Sequence, residues 1–191
     1  KVLSGVVQPN EGQMVLDGER HQPASIAAAR AMGVSTAFQE LSLIPHMTVA
    51  ENLLLPKVST HRFWPDRKTV IVARAAQVLK EWEITDISPE SLIEDLPLAQ
   101  RQRIEITRAL SHTQRLLLLD EPTAALPDTS WLFRQIRRLT DRGMAVMYIS
   151  HRLSEVREIC QRATVLRNGA TIQTVDLDGV DDAGIFSMMV G

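Results

Sequence analysis

Apolar residues recur at α-helical spacing in several stretches of the chain. The clearest stretch covers residues 67–82, where the apolar positions are Ile71, Ala75, Val78, Leu79 and Trp82. These residues would share one side of a helix. The same reasoning predicts helices at residues 25–32, 98–110, 132–139 and 152–160, and a helical turn at 49–54 within a loop-rich stretch, 39–56. Residues 1–3 are typical of the last turn of a helix that ends at Gly5.

Two uninterrupted apolar segments indicate strands that are buried on both faces. Residues 116–119 are four consecutive leucines, too few for a helix, and residues 144–149 form the second segment. Because a helix separates the two, we expect a crossover connection and a mainly parallel sheet, and therefore an α/β fold. Further strands are predicted at residues 13–16 and 34–38, and in a hairpin with strands 163–166 and 171–175 around the turn Asn168-Gly169.

Composition narrows the class of protein. At 191 residues the chain has the size of one large domain, and its net charge of −2 argues against nonspecific binding to nucleic acid. The single cysteine, Cys160, cannot form an internal disulfide and is interpreted as a small buried apolar residue. No apolar run approaches the ~20 residues that span a bilayer, so a role at a membrane would require a partner. Because the chain starts at Lys1 without a methionine, we expect a fragment.

The strongest chemical signal follows the four leucines. Asp120 and Glu121 come at the carboxyl end of this strand, where α/β sheets bind ligands. Two adjacent acids at a buried position require a cation or a solvated cleft. We therefore expect Asp120 to hold Mg²⁺ and Glu121 to polarise an attacking water. The alternative is a strand that ends in solvated acids, and the Pro122-Thr123 that follows argues against it.

Two other strand ends carry polar residues suited to the same chemistry. His151 follows Ser150 at the end of the second buried strand, where a neutral imidazole can donate to a phosphate oxygen and to the attacking water. Gln39 lies between Phe38 and Glu40 at the end of an earlier strand, and its amide oxygen can reach a metal or a water. Taken alone, such a histidine is more often structural and such a glutamine is more often a surface residue.

A helix start provides the last candidate contact. The helix predicted at residues 98–110 opens with Leu96, Pro97, Leu98, Ala99 and Gln100. Free backbone N–H groups at a helix N-terminus attract anions, so this segment could contact a second phosphate. Pro97 equally suits ordinary helix initiation in the first turn, which stays open as the alternative.

In this order and spacing, these segments resemble the motifs of the ATP-binding cassette (ABC) family. The Q-loop is matched by Phe38-Gln39-Glu40, the LSGGQ signature by residues 96–100, Walker B by residues 116–121, and the switch-histidine motif by Ser150-His151-Arg152. The sequences of residues 38–52, 120–126 and 148–153 are similar to those of the ATPase subunit of monosaccharide importers. In that subunit two cassettes are fused in tandem. Residues 188–191 resemble the end of the first cassette, so the resemblance covers essentially the whole chain.

The resemblance implies one partial ABC ATPase domain with a P-loop NTPase-like core. Its mainly parallel sheet would be accompanied by a helical subdomain and a small antiparallel β part. Residues 1–39 and 111–191 would form the ATPase core, and residues from about 40 to 110 the Q-loop and the helical signature subdomain.

ATP and Mg²⁺ are the ligands that the resemblance implies. Glu121 and His151 would be catalytic, and Asp120 and Gln39 would hold the metal. The nucleotide would also be contacted by Gln39, Asp120, Leu96, Pro97, Leu98, Ala99 and Gln100.

The function implied is ATP hydrolysis coupled to import of a monosaccharide of the ribose, galactose, arabinose or xylose type. The partners would be a second cassette, membrane permease subunits and, indirectly, a periplasmic sugar-binding protein, with no nucleic acid. The chain would lie peripherally at the cytoplasmic face of the inner membrane. Closure and reopening of the paired cassettes would reach the permease through residues 40–110.

The family's phosphate-binding loop, GxxGxGK[ST], is missing from the sequence. Lys1 is followed by Val2, where serine or threonine would stand, and residues 1–5 instead match the helix just after that loop. Without the loop we expect this chain to bind ATP poorly and to hydrolyse it negligibly. A core strand would be missing with it, so we expect apolar surface and unpaired backbone beside residues 116–119.

Two other motifs are altered. Pro97 replaces the signature serine, which removes a hydroxyl and an N–H, and Ala99 replaces a glycine. Pro127 stands at the aspartate position of the D-loop that begins at Ala124, with Asp128 displaced by one residue. The resulting hypothesis is asymmetry: one competent ATP site and one impaired site.

Two other functions stay open. A non-transport ABC ATPase acting on ribosomes or DNA would share the Walker B and histidine motifs, but it would lack the run at residues 41–52 that faces a permease. A catalytically inactive fragment or regulatory remnant is favoured by the start at Lys1 and by Pro97.

Overall fold

The computed structural model describes residues 1–55 and 67–190, so Pro56, at the end of the predicted loop-rich stretch, lies outside the described residues. The chain forms two compact units, Lys1–Met147 and Tyr148–Gly191. The first contains β1 (Val15–Leu16), β2 (Glu19–Arg20), α1 (Ile26–Ala31), β3 (Val34–Ala37), α2 (Val49–Leu54), α3 (Arg67–Glu81), α4 (Leu98–His112), β4 (Leu116–Asp120), α5 (Ser130–Thr140) and the start of β5 (Ala145–Ile149). The second continues with α6 (Leu153–Ile159), β6 (Arg162–Arg167), β7 (Ala170–Asp176) and α7 (Asp182–Val190).

The predicted helices are confirmed, and capping side chains mark the starts of α1 and α2. Ser25 caps α1 by accepting the N–H of Ala28 at 3.1 Å. A capping box formed by Thr48 and Glu51 starts α2, whose bounds agree with the predicted helical turn. By contrast, α7 was not predicted, because its sequence is apolar almost throughout and lacks helical periodicity.

Residues 1–6 form the end of a helical turn. The N–H of Gly5 donates to the carbonyl of Val2 at 3.0 Å, and the N–H of Val6 donates to the carbonyl of Lys1 at 3.1 Å. These two bonds and the φ of +72° at Gly5 define a Schellman motif, the common C-terminal end of a helix. The expected stop at Gly5 is therefore confirmed, although residues 2–5 are a turn and not a full α-helix.

The central sheet has the order β3-β4-β5. β3 and β4 are parallel, with Val34 beside Leu116 and Ala37 beside Leu119, which confirms a parallel pairing in an α/β fold. Leu116 and Leu118 pack against Ala29 of α1 and against Val34. Leu117 and Leu119, on the opposite face, are fully buried. β4 is thus enclosed on both faces, as four consecutive leucines predict.

Two expectations about the sheet are wrong. β5 is not buried on both faces, because its residues alternate between exposed and half-buried, and Met147 is 44% exposed. The apolar surface expected beside residues 116–119 is also not there, since β4 lies between β3 and β5. The apolar exposure lies instead on β5, the last strand in this order. An apolar run has the same sequence pattern whether its strand is central or at an edge.

Contacts of two tryptophans join helices α3, α4 and α5 of the first unit. The indole N–H of Trp131 on α5 donates to the carbonyl of Trp82, just after α3, at 2.8 Å. The guanidinium of Arg138 lies 5.3 Å from the ring centre of Trp82, and that of Arg103 on α4 lies 5.4 Å from the ring centre of Trp131. These cation–π contacts connect α3, α4 and α5.

The second unit has a hairpin packed on helices. β6 and β7 are antiparallel, and the turn residues Asn168 and Gly169 have φ values of +51° and +78°, which confirms the predicted hairpin. Its core contains Val165, Leu177 and Ile185. Among the described residues, no helix has both the length and the apolar character needed to cross a bilayer.

Candidate active site

Two of the predicted site residues follow neighbouring strands at the carboxyl end of the central sheet. Asp120 is the last residue of β4, and Gln39 comes two residues after the end of β3. Because Ala37 lies beside Leu119 in a parallel pair, both strands deliver their polar residues to the same edge. Asp120 is half-buried and Gln39 is exposed. Both residues therefore lie at the carboxyl edge of this pair of strands.

Glu121 adjoins this pair in an unusual backbone conformation. Its φ is +48°, in the left-handed region that side chains other than glycine rarely adopt. The turn that follows is closed by hydrogen bonds from Ala124 N–H to the Glu121 carbonyl, at 3.3 Å, and from Leu126 N–H to the Thr123 carbonyl, at 3.1 Å. Such a conformation costs about 1–3 kcal/mol and is concentrated at functional sites. The sequence gives no sign of this strain.

The acidic groups at this edge are few. Within residues 1–55 and 67–190 there is no cluster of three or more histidine, cysteine, aspartate or glutamate side chains able to hold a metal. A Mg²⁺ ion there would accordingly be held by one or two protein oxygens together with water and phosphate. That is the usual arrangement for this ion, so the donors present fit it.

The start of α4 has a different character. Pro97 is the N-cap residue, one position before the first helical turn, and its carbonyl accepts the N–H groups of Gln100 and Arg101 at 3.0 Å each. The N–H groups of Leu98 and Ala99 have no acceptor within the helix, as is general at this position. Pro97 and Leu98 are exposed, whereas Leu96 is buried. This N-terminus can thus present backbone donors to an anion, without a side-chain hydroxyl.

Side chains that the sequence did not single out hold this helix start in place. Arg101 donates to the carbonyls of Leu96, at 2.6 Å, and Glu94, at 2.7 Å. Asp86 accepts from the Gln100 amide at 3.3 Å and pairs with Arg103 at 2.8 Å. Burial alone would raise the pKa of Asp86, but the hydrogen bond and charge of Arg103 outweigh it and lower that pKa.

His151 lies in the second unit, in a turn organised by a buried acid. Glu155, 7% exposed, accepts from the Tyr148 hydroxyl at 2.8 Å and from the Ser150 hydroxyl at 3.2 Å, and pairs with Arg152 at 3.1 Å. The Ser150 hydroxyl oxygen in turn accepts the N–H of Arg152 at 3.0 Å. The residues on both sides of the exposed His151 are thereby fixed. The sequence offered no indication of Glu155 as the organising residue.

Asp128, one position after the expected D-loop aspartate, contributes to a helix start. Its carboxylate accepts from the N–H of Ser130 at 2.9 Å and from the hydroxyl of Ser130 at 2.7 Å. These hydrogen bonds lower the pKa of Asp128. Asp128 therefore stabilises the first turn of α5.

Comparison with known proteins gives consistent results. The family model described as ABC transporter matches residues 1–124. The arabinose import ATP-binding protein AraG of Chromohalobacter salexigens is 42% identical over 194 residues, covering 100% of this chain and 39% of that protein. A ribose import ATP-binding protein, RbsA 1 of Rhizobium johnstonii, is 40% identical over 193 residues, covering 100% of this chain and 38% of that protein. The chain therefore spans about two fifths of the length of the curated relatives it matches.

A solved structure supports the same fold. The ATP-binding cassette MJ0796, described as a dimeric post-hydrolysis state bound to ADP and Pi, superposes with a TM-score of 0.75. The match covers 91% of this chain and 77% of that one, at 24% identity. At this identity the likeness concerns the fold alone.

Proposed function

Because this chain belongs to the ABC transporter family, we propose that it is the ATP-binding and ATP-hydrolysing part of a monosaccharide importer. The observation that carries the proposal is the parallel pairing of β3 with β4, after which Gln39, Asp120 and the strained Glu121 follow at one edge of the sheet. The names of the arabinose and ribose import relatives support a sugar as the transported substrate.

In the proposed reaction, Asp120 and Gln39 provide the oxygen ligands for Mg²⁺. When bound, the ion would neutralise charge on the phosphates of ATP. Asp120 is the last residue of the buried strand β4, which fixes the position of its backbone at the edge of the sheet. The half-buried position of Asp120 leaves it accessible to a ligand from the open edge.

Glu121 and His151 carry the proposed chemistry at the terminal phosphate. The carboxylate of Glu121 would orient the attacking water and accept its proton. Its positive φ turns the chain directly after β4. His151 would donate to the terminal phosphate oxygen, and the contacts of Glu155 hold its turn ready for this role.

The segment from Leu96 to Gln100 would face the nucleotide bound by a second cassette. Backbone N–H groups and the helix dipole of α4 favour an anion there. Pro97 supplies neither a hydroxyl nor an N–H, so this contact would be weaker than in cassettes with serine. We therefore propose that one of the two ATP sites in the assembled protein is impaired.

The remaining partners follow from the same proposal. The chain would act with a second cassette and with membrane permease subunits, and indirectly with a periplasmic sugar-binding protein. Its place would be the cytoplasmic face of the membrane, attached through the permease. The names of the relatives, which are import ATP-binding proteins, support a role together with membrane components.

The decisive experiment measures MgATP hydrolysis by the complete polypeptide that contains this segment. Glu121→Gln should lower kcat about a hundredfold or more, because it removes the group that activates water, while KM for ATP stays nearly unchanged. The matched control is Glu90→Gln at an exposed position, which should leave both constants as they are. Full activity in Glu121→Gln would refute the assignment.

Uptake of labelled sugars by intact cells tests the proposed class of transported substrate. Deleting the gene should abolish uptake of labelled arabinose, ribose, galactose or xylose and leave maltose uptake unchanged. Unchanged uptake of all four monosaccharides would contradict the proposed substrate class, without affecting the ATPase assignment.

A further inference from the structure

The segment that follows Gln39 is irregular in backbone, yet it is firmly bonded. The N–H of Ile44 donates to the side-chain oxygen of Asn52 at 2.8 Å. The amide nitrogen of Asn52 donates back to the carbonyls of Ile44, at 3.2 Å, and Thr48, at 3.0 Å. Asn52 is completely buried on α2. The later part of the segment is therefore fixed to α2.

The earlier part is fixed to α4 through Ser42. The N–H of Ser42 donates to one carboxylate oxygen of Glu105 at 3.3 Å, and its hydroxyl donates to the other at 2.8 Å. Arg108 donates to the hydroxyl oxygen of Ser42 and, at 3.4 Å, to its carbonyl. Arg108 also pairs with Glu105 at 2.8 Å. All four polar contacts of Ser42 are made to two residues of one helix.

Glu105 is an unusual residue for this position. Its side chain is 1% exposed, and a buried carboxylate is tolerated only when charge and hydrogen bonds compensate for lost hydration. A second guanidinium, that of Arg30, is close enough for its pKa to be affected. Burial lowers the pKa of Arg30, the charge of Arg108 adds to this, and Glu105 opposes it. Glu105 thus balances two arginines while it binds Ser42.

The spacing along the chain gives these contacts a consequence for the active site. Only Glu40 and Leu41 separate Gln39 from Ser42, so Gln39 can move no more than about 10 Å from Ser42. Glu105 lies seven residues, or about two turns, beyond Leu98 on the same helix. Because Ser42 is bonded to α4, a displacement of α4 relative to the sheet would move Ser42 and so change the positions open to Gln39.

We propose that Ser42, Glu105 and Arg108 form a clamp through which α4 positions Gln39 at the sheet edge. Glu105 and Arg108 are positioning residues in this scheme, since they act through Ser42 and do not touch the substrate. The functional part of this inference rests on the proposed role of Gln39 as a metal ligand. The structural part does not.

Amide hydrogen exchange in the complete polypeptide that contains this segment tests the structural part. The N–H of Ser42 should exchange slowly although Ser42 is an exposed loop residue, because it is bonded to Glu105. Glu105→Gln should accelerate this exchange about tenfold, as expected for loss of one charge-assisted hydrogen bond. Glu90→Gln, the control, should have no effect. Unchanged exchange at Ser42 in Glu105→Gln would overturn the clamp.

A double-mutant cycle with Gln39→Ala tests the functional part in the complete polypeptide. With Gln39 present, Glu105→Gln should lower kcat about fivefold and raise the Mg²⁺ concentration needed for half-maximal rate, with little change in ATP binding. In the Gln39→Ala background it should have almost no further effect. Ser42→Ala, at an exposed position, serves as a second variant that leaves the interior of α4 intact and should behave in the same way.

The outcomes separate the two proposals. An equal loss of kcat from Glu105→Gln in both backgrounds would overturn the positioning role. If Gln39→Ala leaves hydrolysis and its Mg²⁺ dependence unchanged, the metal role of Gln39 is wrong, and the positioning role is wrong with it. If the parent polypeptide hydrolyses no ATP, the proposed function fails, while the exchange of Ser42 still decides whether the clamp exists.

Discussion

The sheet edge and the start of α4 are both proposed to face phosphate, but different forces hold them. At the sheet edge, Asp120 follows four leucines that are at most 8% exposed, and the support is apolar packing. At the start of α4, Gln100 and Arg103 are attached to Asp86 by a hydrogen bond and an ion pair. Glu121 adds backbone strain at the first region, whereas Pro97 at the second has ordinary φ and ψ values of −57° and 152°.

This difference indicates how each region should respond to its surroundings. Apolar packing does not depend on pH and is not weakened by the screening of charges, so the sheet edge should keep its geometry in acid and in high salt. A partly exposed ion pair is weakened by salt and by acid, so the start of α4 should be the adjustable region. Catalytic groups require the first kind of support, and a contact that forms and breaks with a partner suits the second.

The largest expected effect comes from a leucine substitution compared between the regions. Leu117→Ala should lower the free energy of unfolding by about 2–5 kcal/mol, because Leu117 is fully buried and a cavity would remain. Leu98→Ala, at a residue that is 59% exposed, should change it by less than about 0.5 kcal/mol. Urea unfolding of both variants measures the difference. Similar losses in the two would mean that the regions are supported alike.

An intermediate effect is expected at Pro97. Pro97→Ser in the complete polypeptide restores a hydroxyl and an N–H at the start of α4, and ATP hydrolysis should rise roughly threefold, the value of one net hydrogen bond. Serine at the N-cap should also stabilise α4. Steady-state ATPase assays provide the measurement, with Pro9→Ser as the matched control. Equal rates in the parent and in Pro97→Ser would remove the argument for an impaired site.

The smallest effect is expected at Asp86. Asp86→Asn should reduce stability by about 0.2–1 kcal/mol at pH 6 and low salt, since the pair with Arg103 is partly exposed. The pKa of Asp86 is lowered in the folded state, so its contribution is present above the ordinary value near 4 and is lost as pH falls through the folded value. The stability difference from the parent protein should therefore vanish in strong acid.

Urea unfolding between pH 2 and pH 7 measures this contribution. Asp95→Asn, at an exposed residue next to the same helix start, is the control. A difference that persists unchanged at the acid end, or that is unaffected by 1 M NaCl, would show that the ion pair is not what holds the start of α4.

Much of this arrangement could be predicted from the sequence where local signals are strong. The capping pair Thr48 and Glu51 marks the start of α2, and four consecutive leucines mark β4. The parallel pairing of β3 with β4 agrees with the mainly parallel sheet expected from the apolar segments. In each case the information lies in neighbouring residues or in a general rule of sheet topology.

The remaining features depend on contacts between distant residues. Gln100 and Asp86 are 14 positions apart, and Ser42 and Glu105 are 63 positions apart. A local sequence pattern cannot predict contacts between residues at these separations. The exposure of β5 depends on its place at the end of the strand order, which its apolar sequence does not reveal. The φ of Glu121 likewise results from the turn that the whole unit imposes.

The backbone conformation of Glu121 also sets thermal stability against catalytic activity. Glycine at this position would adopt a φ of +48° without steric penalty, and the protein should then unfold at a higher temperature. It would lose its carboxylate in the same step. A laboratory selection for heat resistance alone should accordingly enrich variants at residue 121 that no longer hydrolyse ATP. Screening each round for ATP hydrolysis as well would prevent this.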